Sequence, residues 1–233
     1  MPVPQRLEER LDKILGNIHK TATKAGRNPK EITLVAITKE LPKEIWGIAL
    51  NANITTLGES KIQETQKKVD KFINRNKIKL HLIGHLQSNK AQKATKLFDV
   101  IQTVDSINLA KKINRICETS GITQNIYIQV NVGKDPKKYG FLPENTITST
   151  REITKMKNIN LCGIMTIPAA GLAKKELHET YKQARKTRDK IYLKVNKNCK
   201  YISMGMSEDY EIAIMEGATH IRIGTALFGA RPK

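Results

Sequence analysis

The sequence is short of cysteine, of aromatic residues and of long apolar runs, and each shortage narrows the class of protein. The three cysteines, Cys117, Cys162 and Cys199, stand apart from one another. No CxxC or CxxH spacing occurs, so no zinc site or other metal is expected, and free thiols suit a reducing cytosol. No apolar stretch approaches the roughly 20 residues of a membrane helix. The opening Met1–Arg10 is charged and lacks the apolar region of a signal peptide. The expectation is a cytoplasmic protein without a membrane partner. Gly-x-Gly-x-x-Gly, Walker-type and Gly-x-Ser-x-Gly loops are all missing, which weighs against a dinucleotide fold and offers no hydrolase or nucleotide signature. Aromatics make up only 5% of the 233 residues, so Ile, Leu, Val and Ala must fill the core.

Charge is plentiful and one-sided. The formal net charge is +19, a balance that favours phosphorylated ligands, nucleic acid or anionic membrane. The excess is mostly lysine spread along the chain, which equally describes a solvated basic surface. A nucleic-acid binder would need an aromatic stacking motif or a reading helix; neither is present, and no nucleic-acid partner is expected.

The apolar period switches repeatedly between helix and strand. Leu7, Leu11, Ile14, Leu15 and Ile18 recur at helical spacing, predicting a helix over about 5–25 that packs on the body formed by the rest of the chain. Strands are expected at Leu34–Ile37, Ile54–Leu57, Leu80–Ile83, Val100–Val104, Ile126–Val132, Leu161–Ile167, Tyr201–Met204 and His220–Gly224. Helical stretches separate them. Pro42 is suited to a first helical turn. Ser106 is a good N-cap for a helix ending at Gly121, and Leu177, Tyr181, Ala184 and Ile191 mark another. Alternating strands and helices imply a parallel sheet. Eight such units in about 230 residues predict a single (β/α)8 TIM barrel occupying 1–233; a doubly wound open sheet is the alternative.

Active sites of such barrels form at the C-terminal ends of the strands, which selects a short list of residues. Val35, Ile37 and Lys39 share one strand face. A lysine on an inward apolar face is desolvated, and burial keeps an amine neutral and nucleophilic; the same residue could instead extend to solvent. Gly224 and Thr225 follow the last strand, where barrels often bind phosphate, and Ser203 can add a hydroxyl; a turn of small residues is the plainer reading. Ser207, ahead of Glu208, Asp209 and Glu211, resembles a helix N-cap. Those carboxylates would oppose a phosphate, which places it nearer Gly224–Thr225. Arg222, between Ile221 and Ile223, would point into the barrel and need an acceptor from a ligand or from a glutamate such as Glu59. His81 and His85 lack convergent partners and are read as structural or solvent-facing.

These segments together resemble the pyridoxal phosphate (PLP) homeostasis protein family. The similarity is carried by Val35-Ala36-Ile37-Thr38-Lys39 with Pro42, by Gly58-Glu59-Ser60-Lys61-Ile62-Gln63-Glu64 and by His81 through Lys90. It continues through Gln129-Val130-Asn131-Val132 with Lys138 and Gly140, Gly163 through Pro168, and Ser203-Met204-Gly205-Met206-Ser207 with Arg222 through Arg231. The resemblance implies a barrel like the N-terminal domain of alanine racemase, with PLP held as a Schiff base on Lys39. It implies phosphate contacts from Ser203, Gly224 and Thr225, and Arg222 facing the pyridine nitrogen. Two positions depart from the family pattern: Thr38 replaces a serine, and Ser60 replaces an asparagine, offering a shorter side chain without the amide at a cofactor-facing position.

The expected role is carriage and regulation of vitamin B6, with apo PLP-dependent enzymes as recipients and a monomeric state. An arginine beside the ring nitrogen disfavours its protonation, which blunts carbanion chemistry, and the predicted barrel leaves no second domain to supply another base. A PLP-dependent amino-acid racemase is the enzymatic alternative.

Overall fold

The computed structural model describes residues 3–230; Met1, Pro2 and Arg231, the last residue of the closing motif, lie outside the described residues. In chain order the first half comprises α1 (Val3–Lys24), β1 (Thr33–Ile37), α2 (Ile45–Asn51), β2 (Thr56–Glu59), α3 (Ile62–Val69), β3 (Lys79–Leu82), α4 (Ala91–Leu97), β4 (Val100–Val104) and α5 (Ile107–Ser120). The second half comprises β5 (Gln124–Gln129), α6 (Pro143–Thr154), β6 (Ile159–Met165), α7 (Lys174–Lys194), β7 (Tyr201–Ser203), α8 (Tyr210–Met215), β8 (His220–Ile223) and α9 (Thr225–Phe228).

The strands close into a barrel in the order β1 to β8, as the alternating pattern predicted. β1 pairs in parallel with β8 in the register Val35↔Arg222 and Ala36↔Ile223. That closure matters for function, because it brings residue 39 beside the turn that follows β8. The main core lies between sheet and helices; Ile221 and Ile223 belong to it. The barrel interior holds a separate small cluster of Val100, Tyr127 and Met165. α1 lays Leu7, Leu11, Ile14 and Ile18 into the main core and packs against α8 and α9, with Asn17 Nδ2 donating to Tyr210 Oη at 3.0 Å.

Several boundaries differ from the apolar pattern for local reasons. β2 starts at Thr56 because Ile54 ends α2 instead, its N–H donating to Ala49 O at 2.9 Å. β5 stops at Gln129 because the Asn131 N–H turns to Phe141 O within its own loop. Pro42 lies in the turn before α2, its carbonyl accepting from Ile45 N at 3.1 Å. The Ser106 cap and the left-handed Gly121 stop of α5 stand where the sequence put them, with Ser106 Oγ accepting from Leu109 N at 3.2 Å. Ser207 is a correction. α8 begins two residues beyond Glu208, and the Ser207 hydroxyl accepts from Ala226 N at 3.3 Å, so it secures the start of α9.

Candidate functional site

A cavity of about 400 Å³ opens at the C-terminal ends of the strands, a volume suited to a small cofactor. Lys39, Ser60, Arg222, Gly224 and Thr225 all line it, together with Ile37, Ser207, Glu208 and Asp209. Ser203 does not. It is fully buried under the cavity, where its Oγ donates to Gln102 Oε1 at 2.7 Å and accepts from Arg222 Nη1 at 2.9 Å. Its geometry is that of a support for Arg222.

Lys39 extends from the end of β1 and is half-buried, and among the described residues nothing hydrogen-bonds or ion-pairs with its side chain. Its face is inward as expected: Ile37, two residues earlier, lines the same cavity. Gly84 must be glycine, since a Cβ there would lie 2.2 Å from Ser60 O; this close approach seats Ser60 against the loop after β3. A Cβ on Gly224 would meet Ile37 only at 3.4 Å. Its absence leaves room at the cavity wall for a ligand to approach the main chain.

Arg222 points into the barrel at 4% exposure. Its Nη2 donates to Thr166 O at 2.9 Å and its Nη1 to Ser203 Oγ. Among the described residues no carboxylate ion-pairs with it. Burial pushes the guanidinium below its ordinary range, with Tyr181 and Asp209 opposing. Glu59, the alternative acceptor for Arg222, is committed elsewhere: its Oε1 takes Lys68 Nζ at 2.7 Å, Thr38 Oγ1 at 2.7 Å and Trp46 Nε1 at 3.2 Å. Two of the five guanidinium donors are thus taken by neutral acceptors, and Arg222 lines the cavity.

The carboxylates of the loop after β7 do reach the cavity, closer to Gly224–Thr225 than the sequence suggested. Asp209 is spent internally, its Oδ1 accepting from Met206 N at 2.6 Å and its Oδ2 from Tyr181 Oη at 2.9 Å. Below Arg222 a polar chain continues from Ser203 through Gln102, whose Nε2 meets His81 Nδ1 at 2.7 Å. Burial holds His81 well below its usual range, so the ring is neutral and structural. His85 faces Asp105 at 3.1 Å and stacks on Tyr139. Among the described residues no three His, Cys, Asp or Glu side chains converge as a metal site, and no helix is long and apolar enough to cross a membrane.

Sequence reasoning missed Lys68, Thr166 and Gln102. A signal existed for Lys68 alone: Glu64 and Lys68 stand four residues apart, and Lys68 continues the buried stripe of Ile62 and Thr65. Nothing local announces Gln102 or Thr166, whose partners lie across the barrel.

Comparison with known proteins fits this geometry. A family profile described as "Alanine racemase, N-terminal domain" matches residues 10–232. An alanine racemase of Clostridium difficile shares the fold at a TM-score of 0.73 and 19% identity, with 98% of this chain covering 58% of that one. Closer similarity is to a pyridoxal phosphate homeostasis protein of Aquifex aeolicus, 34% identical over 223 residues, or 96% of this chain and 97% of that one. PipY of Synechococcus elongatus, solved with PLP bound, is 30% identical at a TM-score of 0.84, covering 96% of this chain and all of that chain (100%). The chain belongs to the pyridoxal phosphate homeostasis protein family, within the wider class of alanine racemase N-terminal barrels.

Proposed function

We propose that this barrel binds PLP as a Schiff base on Lys39 and acts in vitamin B6 homeostasis as a carrier rather than as an enzyme. The observation that carries the reading is Arg222: a buried cation with only neutral acceptors, at a cavity shared with an unengaged lysine and the Gly224–Thr225 turn. When bound, the cofactor supplies an aldehyde that condenses with an amine, forming C=N and releasing one water. Lys39 offers that amine. Gly224 and Thr225 offer the main-chain approach and the hydroxyl for the phosphate. Arg222 offers a donor to the pyridine nitrogen, and Ser203 holds Arg222 from beneath. Ser60 also lines the cavity.

A guanidinium beside the ring nitrogen would disfavour its protonation and so weaken the electron sink that racemisation needs. This supports carriage over catalysis, with apo PLP-dependent enzymes as recipients and one cytoplasmic, monomeric barrel as the working unit. The test is the absorbance spectrum of the purified protein before and after borohydride, with mass spectrometry of the Lys39 peptide. The expected result is a visible band, bleached by borohydride, with the added mass on Lys39, and complete loss of the band in a folded Lys39→Ala variant. A band retained in Lys39→Ala, or steady turnover of L- or D-alanine, would overturn the proposal.

A further inference from the structure

We infer that Lys68 is a positioning residue for Lys39, acting through a buried clamp that grips the chain on both sides of it; the inference rests on Lys39 being the cofactor lysine. Lys68 is only 4% exposed, on the inward face of α3. Its Nζ makes three close contacts: to Thr38 O at 2.8 Å, Glu59 Oε1 at 2.7 Å and Glu64 Oε1 at 2.9 Å. Thr38 immediately precedes Lys39. Glu64 Oε1 in turn accepts from the Glu40 N–H at 2.7 Å, and Glu40 immediately follows. The residues flanking Lys39 are thus both tied to one ammonium.

The turn needs such a tie. Glu40 has φ +61°, a left-handed conformation that a residue with a Cβ adopts at a cost and keeps only when its surroundings enforce it. The Thr38 side chain is fixed from the other direction, donating to Glu59 Oε1 and accepting from Trp46 Nε1 at 3.1 Å. Thr38, Glu59 and Trp46 are each completely buried. None of Lys68, Glu59 or Glu64 is among the proposed cofactor contacts, yet together they set where the Lys39 side chain leaves the barrel rim. Cationic geometry is required of the hub, because one group must donate at once to a carbonyl and two carboxylates.

The experiment separates linkage from binding. Cofactor-free wild type, Lys68→Met, Lys68→Arg and Glu64→Gln are mixed with PLP and the rise of the lysine-bound band is timed. Affinity for pyridoxine 5′-phosphate, which has an alcohol in place of the aldehyde, is measured by calorimetry. Expected are a roughly tenfold slower linkage in Lys68→Met, a roughly threefold slower one in Glu64→Gln and substantial recovery in Lys68→Arg, with pyridoxine 5′-phosphate affinity held within about twofold. Glu64 is partly exposed, so Glu64→Gln carries the test should Lys68→Met fail to fold. Wild-type linkage rates in the folded variants overturn the inference, as does a parallel loss of pyridoxine 5′-phosphate affinity, which marks general damage to the cavity. A wild type with no borohydride-fixed adduct on Lys39 removes the parent reading as well; an adduct with unaltered variants removes the positioning role alone.

Discussion

Lys68 and Arg222 are buried to the same extent, each 4% exposed, at the same end of one barrel, yet the fold treats them oppositely. Lys68 meets two carboxylates and a carbonyl. Arg222 meets a hydroxyl and a carbonyl. A buried charge costs several kcal/mol unless compensated; the first cation is compensated by carboxylates in direct contact, whereas the second has only neutral hydrogen-bond partners, with Asp209 and Tyr181 favouring its charge without an ion pair. Burial alone does not distinguish the two cations; the charge of their direct partners does.

The largest expected effect tests the self-sufficient side. Glu59→Leu removes the most buried partner of Lys68 and leaves Glu64 alone to compensate it. Loss of about 3–5 kcal/mol in urea unfolding is expected. Burial pushes the Glu59 carboxyl above its ordinary range while Lys68 opposes the shift, so Glu59→Gln should cost less than Glu59→Leu, since it keeps an acceptor for Thr38 and Lys68. Equal and small losses in both variants would mean that the Lys68 clamp is not a stabilising pair, and the contrast with Arg222 would collapse.

A second test addresses the dry interior on which the Arg222 side depends. His220 is held down to about 3, first by burial and then by Lys79 and Arg222. His81 is lowered too, by burial, His220 and Lys79. Both rings are neutral when folded, while in the unfolded chain they take up protons below about pH 6.5. Their contribution to stability is complete above that value and is lost as pH falls toward the folded values. For His220 the loss is about 1.4 kcal/mol per pH unit below about 6.5, so moving from about pH 7 to about pH 5 should remove about 2 kcal/mol, with His81 acting in the same direction. Urea titrations at the two pH values measure it, and His220→Gln should reduce the change. A flat profile would mean that protons reach the rings freely, and that Arg222 is not in a desolvated chain.

The contrast also explains what could be read from sequence. β4 and α5 were legible to the residue or nearly so, because Val100–Val104 is buried throughout and Ser106 and Gly121 punctuate the helix by local chemistry. That Lys39, Ser60, Arg222, Gly224 and Thr225 would share one rim was legible because a barrel collects strand ends there, and all five line the same cavity. Ser203 pairs with Gln102, 101 positions away, and with Arg222, and no local pattern encodes such a pairing. Lys68, one of 41 lysines and arginines, had only the Glu64 spacing to mark it, a pattern that a solvated helix face shares. Ser207 misled because an acidic run after a serine suits a cap, whereas Asp209 is consumed by Tyr181 and the Met206 N–H.

The smallest effect on the ligand-free fold is expected at Arg222 itself. Arg222→Met keeps the apolar stem and removes a cation that no carboxylate ion-pairs with among the described residues, although Asp209 lies near enough to favour its charge. Relief of desolvation offsets the two hydrogen bonds lost to Ser203 and Thr166, so stability without cofactor should change by no more than about 1 kcal/mol. Cofactor affinity should nevertheless fall about ten- to hundredfold, the worth of one hydrogen bond from a charged donor. Calorimetric unfolding and PLP titration on the same sample give both numbers. A loss near 3 kcal/mol in the absence of cofactor would put Arg222 in the same structural role as Lys68. Unchanged affinity with unchanged stability would mean that its remaining donors face no ligand atom, and the ring nitrogen would then have to lie elsewhere in the cavity.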